Sequence, residues 1–260
     1  MKLSDRVGKA DLHIHTANSD GMAEVKQVLD HVENHTDLDV IAITDHDNLR
    51  SSMAAREIWA NGKYRFDFVT GVEITTLEGH IIALYVENPL PSLRPMQEVL
   101  AAIHYQGGLA IAAHPMCWVT RSLNRKNLLS IHNSSANGVY FDAMEVSGQP
   151  ICKMIGQKPS RSLNQNCLHL PEVGGSDAHF LKSIGSTYTE FDGSMANDLH
   201  FSIKNNECRA VVGTHPSIIE IGIGQIIKQS YQGITATPRQ LGWIPTAISF
   251  IKRIFPIIRR

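Results

Sequence analysis

Between residues 9 and about 212 the apolar positions alternate between two regimes. Short runs are nearly continuous in aliphatic and β-branched residues, and in the longer stretches between them apolar residues recur every three or four positions. Ala10 to Ile14 predicts a first strand, and Val25, Val28, Leu29 and Val32, after Asp20-Gly21, predict an amphipathic helix. Asp39 to Thr44 is almost unbroken in apolar side chains, as a strand covered on both faces should be. A helix is expected over Leu49 to Ala60 and strands over Phe68 to Val72 and His80 to Val86. Pro95 opens a helix to about Gln106, where Gly107-Gly108 stops it. Leu109 to Ala113, Ala143 to Val146, the run into Gly174-Gly175, Thr187 to Phe191 and Arg209 to Val212 complete the predicted strands. This is the pattern of βα units around a parallel sheet.

Composition narrows the picture without changing it. A chain of 260 residues with 43% hydrophobic content can bury a substantial core, as one large α/β domain or two small ones. A formal charge of −1 gives no global attraction to nucleic acid or an anionic surface, so a polyanion must be held locally. Cys117, Cys152, Cys167 and Cys208 are far apart, without a Cys-x-x-Cys pair. They suggest neither a thiolate zinc site nor a disulfide framework, and a reducing cytoplasm is the default. The N-terminus lacks the apolar run of a signal peptide, and no run of uncharged apolar residues is long enough to span a membrane.

Chemistry enters where the strands end. His13, His15, Asp45, His46, Glu73, His114 and Asp177 each fall at or just after the C-terminal end of a predicted strand. In βα barrels that rim collects functional residues, because the βα loops converge there over a rigid scaffold. A barrel is therefore expected in preference to an open sheet. In His13-x-His15 the two imidazoles share a strand face and can grip one ion, with Glu73 and Asp177 completing the site. Glu73 has a second oxygen to offer another ion beside His114, and Asp20, His46 and His179 can hold a third. His80 joins only if Glu73 to His80 forms a hairpin over the barrel mouth; otherwise it is a structural histidine. Several cations in one pocket suit a phosphate ester, whose charge, attacking water and leaving oxygen they can serve together.

The segments Asp11-Leu-His-Ile-His-Thr16, Ser19-Asp-Gly21, Ile43-Thr-Asp-His-Asp47, Gly71-Val-Glu-Ile74, Ala112-Ala-His-Pro115 and Gly175-Ser-Asp-Ala-His179, in that order, resemble the PHP (polymerase and histidinol phosphatase) superfamily. The resemblance covers residues 9 to about 212 and implies a distorted TIM-like (β/α)7 barrel with two or three divalent metal ions (Mn, Zn or Fe) and phosphoesterase activity. Stand-alone phosphoesterases of the superfamily are more similar than its polymerase domains or histidinol phosphatases, and Asp20 supports that choice. Gly79-His80-Ile-Ile-Ala-Leu84 and the run from Gly107 to Pro115 look like a less characterised group of small PHP proteins, from which no substrate carries over.

The expected function is metal-dependent hydrolysis of a small phosphate ester, with a nucleotide or short nucleic acid among the candidate partners. His179 and Asp177 are expected in the catalytic machinery, and Arg121 is weighed evenly between a phosphate clamp and a solvated loop charge. Hydrolysis of a carbamate, ester or amide is one alternative; a recruited regulatory module with structural metals is another. Arg125 is read as a loop charge, Trp118 as a partly buried loop anchor and Cys117 as an inert buried thiol. Glu145 could bind a substrate hydroxyl or be structural, Asp11 and Asp45 are expected to orient the histidines beside them, and Thr44 and Ser176 to hydrogen-bond at the rim. His31, His35, His104, His132, His169, His200 and His215 have no motif around them and read as structural. Residues 1–215 form the expected catalytic domain and 216–260 an extension. In the extension Ile248, Ile251, Ile254, Phe255 and Ile258 interleave with Lys252, Arg253, Arg259 and Arg260 behind Trp243. Such a segment can lie on an anionic membrane or dock on another protein; packing against its own barrel, or self-association with a second subunit, is the plainer expectation.

Overall fold

The computed structural model describes residues 6–134 and 138–240, with side chains placed as far as residue 234. The basic amphipathic segment expected beyond residue 240 lies outside the described residues. Within them every predicted strand is present: β1 (Val7–Ile14), β2 (Val40–Ile43), β3 (Asp67–Thr75), β4 (His80–Leu84), β5 (Leu109–Ala112), β6 (Ala143–Ser147), β7 (Glu172–Gly175), β8 (Thr187–Asp192) and β9 (Cys208–Val212). Helices α1 (Val25–His35), α2 (Leu49–Asn61), α3 (Met96–Tyr105) and α4 (Arg125–Ser134) flank them. Further along, α5 (Pro150–Cys152) and α6 (Lys158–Leu163) belong to one helical stretch with two π turns, followed by α7 (Ala196–Lys204), α8 (Ile218–Ile221) and α9 (Ile223–Gln240). Arg125, expected in a loop, is the first residue of α4.

The strands form one sheet in the order β7-β6-β5-β4-β3-β2-β1-β8-β9. Its β7 end folds back onto β1, which lies inside the other half of the sheet. Beyond β7 the chain hydrogen-bonds to β1: the His15 N–H donates to Ala178 O at 2.9 Å and the Ala178 N–H to His13 O at 3.1 Å. The Asp11 carboxylate, buried at the same seam, accepts from the Ser176 and Gly185 N–H groups at 2.9 and 2.8 Å. The sheet is thus a nearly closed, distorted TIM-like barrel.

The expectation of a purely parallel sheet is corrected. β1–β2–β3 and β5–β6–β7 are parallel, but β4 runs antiparallel to both β3 and β5, and β8 runs antiparallel to β1 and β9. A parallel return from Thr75 to His80 would need a crossover of a dozen residues or more; the link is a tight turn closed by the Thr76 hydroxyl and Gly79, which forces a hairpin.

Three apolar clusters hold the barrel. Ala10, Leu12, Val40, Ala42, Val69, Ile82, Ile111 and Val173 share one. Ile14, Ile41 and Ile43 pack instead with Val28, Leu29 and Val32 of α1, and α3 covers Ile81, Ala83 and Ala110. Leu12 and Ile14 would share a face in a regular strand, yet they belong to different clusters. The β1–β2 register shifts between Asp11 and Ile14, and this irregularity re-aims the strand end where His13 sits.

Candidate metal centre

All nine candidate metal ligands meet in one pocket at the C-terminal rim. His13 comes from the end of β1 and His15 from just beyond it, and their Nε2 atoms lie 3.0 Å apart. Glu73 Oε2 is 3.3 Å from each of them, and Asp177 Oδ1 is 3.5 Å from His13 and 3.2 Å from His15. The hairpin brings His80 to the opposite oxygen: Glu73 Oε1 lies 2.9 Å from both His80 Nδ1 and His114 Nε2. On the far side Asp20 Oδ2 is 3.0 Å from His179 Nε2 and 3.7 Å from His46 Nε2. His46 Nδ1 turns back to Glu73 Oε2 at 3.1 Å, so the three groups interlock around Glu73.

Local structure explains the convergence. Asp45, at the end of β2, accepts from the Thr16 N–H at 2.7 Å and from the hydroxyls of Thr16, Ser19 and Ser51, and so shapes the loop that presents Asp20. Its expected role of orienting His46 is replaced by this one; Asp11 fastens the barrel seam and also accepts from the His13 N–H at 3.4 Å, so it bears on that histidine through the backbone. His114 and Asp177 stand at φ 28° and 52°, in the left-handed region that non-glycine residues rarely occupy, a strain typical of functional positions. The Glu145 carboxylate bonds His13 Nδ1 at 2.8 Å and accepts from the His114 N–H at 2.6 Å. Its role is therefore to position two candidate ligands, and binding a substrate hydroxyl is set aside because both oxygens are engaged.

The electrostatics follow from burying so many charges together. Burial alone would raise the Glu73 carboxyl, but His46, His80 and His13 around it hold it well below the usual range. Burial opposes the charged form of His179 and His46, yet the carboxylates of Asp20 and Glu73 beside them prevail, pushing them up to about 9 and about 10. His80, where burial dominates, is lowered.

Do these residues fit metal ions? Two Nε2 atoms face each other at 3.0 Å, and because the His13 Nδ1–H donates to the Glu145 carboxylate, a neutral His13 turns a bare lone pair toward His15. His46 Nδ1, Glu73 Oε2 and both ring nitrogens of His80 are buried without a hydrogen bond. Buried polar atoms are normally satisfied, and imidazole nitrogens with carboxylate oxygens are the ligands of borderline divalent ions. The donor set fits divalent metal ions.

The cavity over these groups measures about 490 Å³ and is walled by Leu93, Val119, Thr120, Arg121 and Gln149. Arg121 thus lies on the wall, whereas Arg125 does not. Trp118, expected as a partly buried anchor, is 78% exposed, and its neighbour Cys117 pairs with Cys152. That pair is a disulfide between two buried residues, which corrects the reading of Cys117 as an inert thiol; a separation of 35 residues carried no pairing signal. The sequence also gave no hint that α9 would reach the pocket. Its Gln229 Nε2 lies 3.4 Å from Asp20 Oδ2, and a Cβ at Gly233 would stand 3.2 Å from the same oxygen.

Fold and pocket together define a metal-binding α/β barrel. Residues 166–208 match the PHP-associated family model. The chain is 34% identical over 126 residues to the uncharacterized protein MJ1587 of Methanocaldococcus jannaschii, covering 44% of this chain and 72% of that protein. A shorter likeness, 35% over 88 residues, is to the 5'-3' exoribonuclease Rnm of Salmonella typhimurium and spans 32% of this chain and 30% of that enzyme. Among solved structures, a two-domain protein from Bacteroides vulgatus containing a predicted PHP-like metal-dependent phosphoesterase superposes with a TM-score of 0.64. Its identity is 18%, and the match covers 80% of this chain and 65% of that one. The chain belongs to the PHP superfamily.

Proposed function

We propose that this chain is a hydrolase that cleaves a small phosphate ester, a nucleotide being one candidate, with two or three divalent ions such as Mn, Zn or Fe held by His13, His15, Asp20, His46, Glu73, His80, His114, Asp177 and His179. The observation that carries the reading is the position of Glu73, whose two oxygens serve two groups of imidazoles while His46 links it to the third. Ions bound there would supply positive charge to the phosphoryl group and lower the pKa of water toward neutrality. Asp177 and His179 flank the pocket from the β7 end, and the 2.9 Å contact of His179 Nδ1 with Asp177 O fixes its ring so that Nε2 faces Asp20. Arg121 lies at the wall, where its guanidinium can take two phosphate oxygens at once. A cavity of about 490 Å³ matches a small ester in size, as does its closure on one side by α9. The names of the similar proteins, a predicted metal-dependent phosphoesterase and an exoribonuclease, support the same reaction class.

The test is a screen of the full chain, reloaded separately with Mn, Zn and Fe, against phosphomonoesters, phosphodiesters, nucleotides, carboxyl esters and carbamates. Turnover of a phosphate ester that disappears in His13→Ala/His15→Ala, with the fold retained by circular dichroism, is expected. Inactivity on every phosphate with cleavage of a carboxyl ester or carbamate would overturn the reaction class, and metal uptake without any turnover would favour a structural role.

A further inference from the structure

Charge is distributed very unevenly along this chain. Of 24 basic and 25 acidic residues, six basic and no acidic ones follow Glu220, which leaves eighteen against twenty-five before it, a net −7. The last forty residues therefore carry +6 with no acid, and Lys228, Arg239, Lys252, Arg253, Arg259 and Arg260 are spread along them. Glu220, the final acid, is occupied in capping α8 through Ser217.

The described part of this region is an apolar stripe. Ile219 of α8 is 91% exposed, and in α9 Ile223, Ile227 and Ile234 are 66%, 66% and 79% exposed. At 3.6 residues per turn Ile223, Ile227, Tyr231 and Ile234 fall within an arc of about 80° on one side of α9. Gln229 and Gly233, on a different side, touch Asp20, so α9 is fixed to the barrel by one face and presents the other outward. Lys228 stands exposed beside the stripe.

We propose that the isoleucine stripe of α8 and α9 docks on the surface of an anionic lipid bilayer. An apolar face immersed at the headgroup boundary, with cations beside it, is the arrangement by which an amphipathic helix lies in a membrane interface. Charge selects this occupant over the two others the stripe could take. Pairing with the same stripe of a second copy would bring two net-cationic regions together, six basic residues against the single acid Glu220 in each, and covering it with residues 241–260 would set four cations against a helix that is itself cationic. An anionic bilayer neutralises all six charges. No helix among the described residues is long and apolar enough to cross a membrane, and the docking proposed for this stripe is peripheral. Since Ile234 belongs both to the stripe and to the cavity wall, docking sets the mouth of the metal pocket against the lipid surface.

The experiment is flotation of the full chain with vesicles of phosphatidylcholine alone and of phosphatidylcholine mixed with phosphatidylglycerol. The chain should float with the mixed vesicles and not with the neutral ones, and salt well above physiological strength should release it. Ile223→Ser/Ile227→Ser, which changes exposed residues outside the pocket, should lower the bound fraction by about tenfold or more while metal content and melting temperature stay as in the parent. Four outcomes overturn the proposal: no flotation with either vesicle, equal flotation with both, unchanged binding by the double variant, or a dimer in sedimentation that the double variant dissolves.

Discussion

Two buried carboxylates, at opposite ends of the barrel, sit beside histidines and behave differently. Asp142, just before β6 at the N-terminal end of the strands, is fully engaged. It accepts from the Ala110 N–H at 2.8 Å, lies 3.0 Å from His104 Nε2 and takes Lys204 Nζ at 2.9 Å. Glu73, at the C-terminal rim, is crowded by imidazoles from four segments, yet its Oε2 makes no hydrogen bond. The residue types are the same; the accounting of partners is not. At the floor, both Asp142 oxygens have donors and only His104 Nδ1 is left without a bond, and the cluster staples α3, β5, β6 and α7 together. At the rim, ligand atoms outnumber the protons that could join them, which is what a site for cations requires. A carboxylate–histidine cluster thus signals function by what it leaves unsatisfied, not by its composition.

That contrast can be broken most sharply at Glu73. Glu73→Gln keeps the shape and removes the charge that links the ligand groups. Metal stoichiometry measured by elemental analysis should fall, and phosphoesterase turnover should drop about a thousandfold, equivalent to about 4 kcal/mol of lost charge stabilisation. Full metal content and activity in this variant would show that Glu73 is no more functional than Asp142. Glu145→Gln tests the next layer, since Glu145 positions His13 and His114 without belonging to the ligand set. Metal affinity from competition with a chelator should weaken by about 10–100-fold with little change in melting temperature.

Asp142→Asn should do the reverse. It keeps one acceptor oxygen and turns an NH2 group toward the donors on the other side, costs about 2 kcal/mol and lowers the melting temperature by about 5 °C, with metal content unchanged. The smallest effect is its pH dependence. Burial pushes the Asp142 carboxyl up, but the hydrogen bonds from His104, Ala110 and Lys204 outweigh it and hold its pKa below the ordinary 3.8. A carboxyl depressed in the folded state stabilises fully above its unfolded pKa, and that contribution is lost as pH falls through the folded value. The gap in melting temperature between the parent chain and Asp142→Asn should therefore be constant above about pH 5 and shrink below about pH 4. A gap that persists unchanged into strong acid would remove Asp142 ionisation as its source.

Legibility from sequence followed the range of the interaction. The strands were readable because each apolar run is its own signal, and the rim was readable because His13-x-His15, Asp45-His46 and Asp177-x-His179 keep their ligands within a few residues of a strand end. Strand direction was not: only the length of the link from Thr75 to His80 decides that β4 turns back, and with it whether His80 reaches Glu73. The disulfide between Cys117 and Cys152, the Glu145 bridge to His13 and the approach of Gln229 to Asp20 join segments far apart in the chain, where spacing carries no information. Asp11 and Asp45 look from sequence like partners of the histidines beside them. Apart from a 3.4 Å bond from the His13 N–H to Asp11, their oxygens go to distant backbone N–H groups and hydroxyls, because those donors would otherwise be buried unpaired.

The sequence by itself determined the set of ligand types, their place at the ends of strands and the barrel those strands build, since hydrophobic period and local motif are properties of neighbouring residues. Only the tertiary structure decided how the ligands divide around Glu73, which carboxylates are satisfied and which are left open, and that the C-terminal helix lies against the pocket with its isoleucines outward. Those outcomes depend on distances between segments that the chain brings together only when the barrel closes.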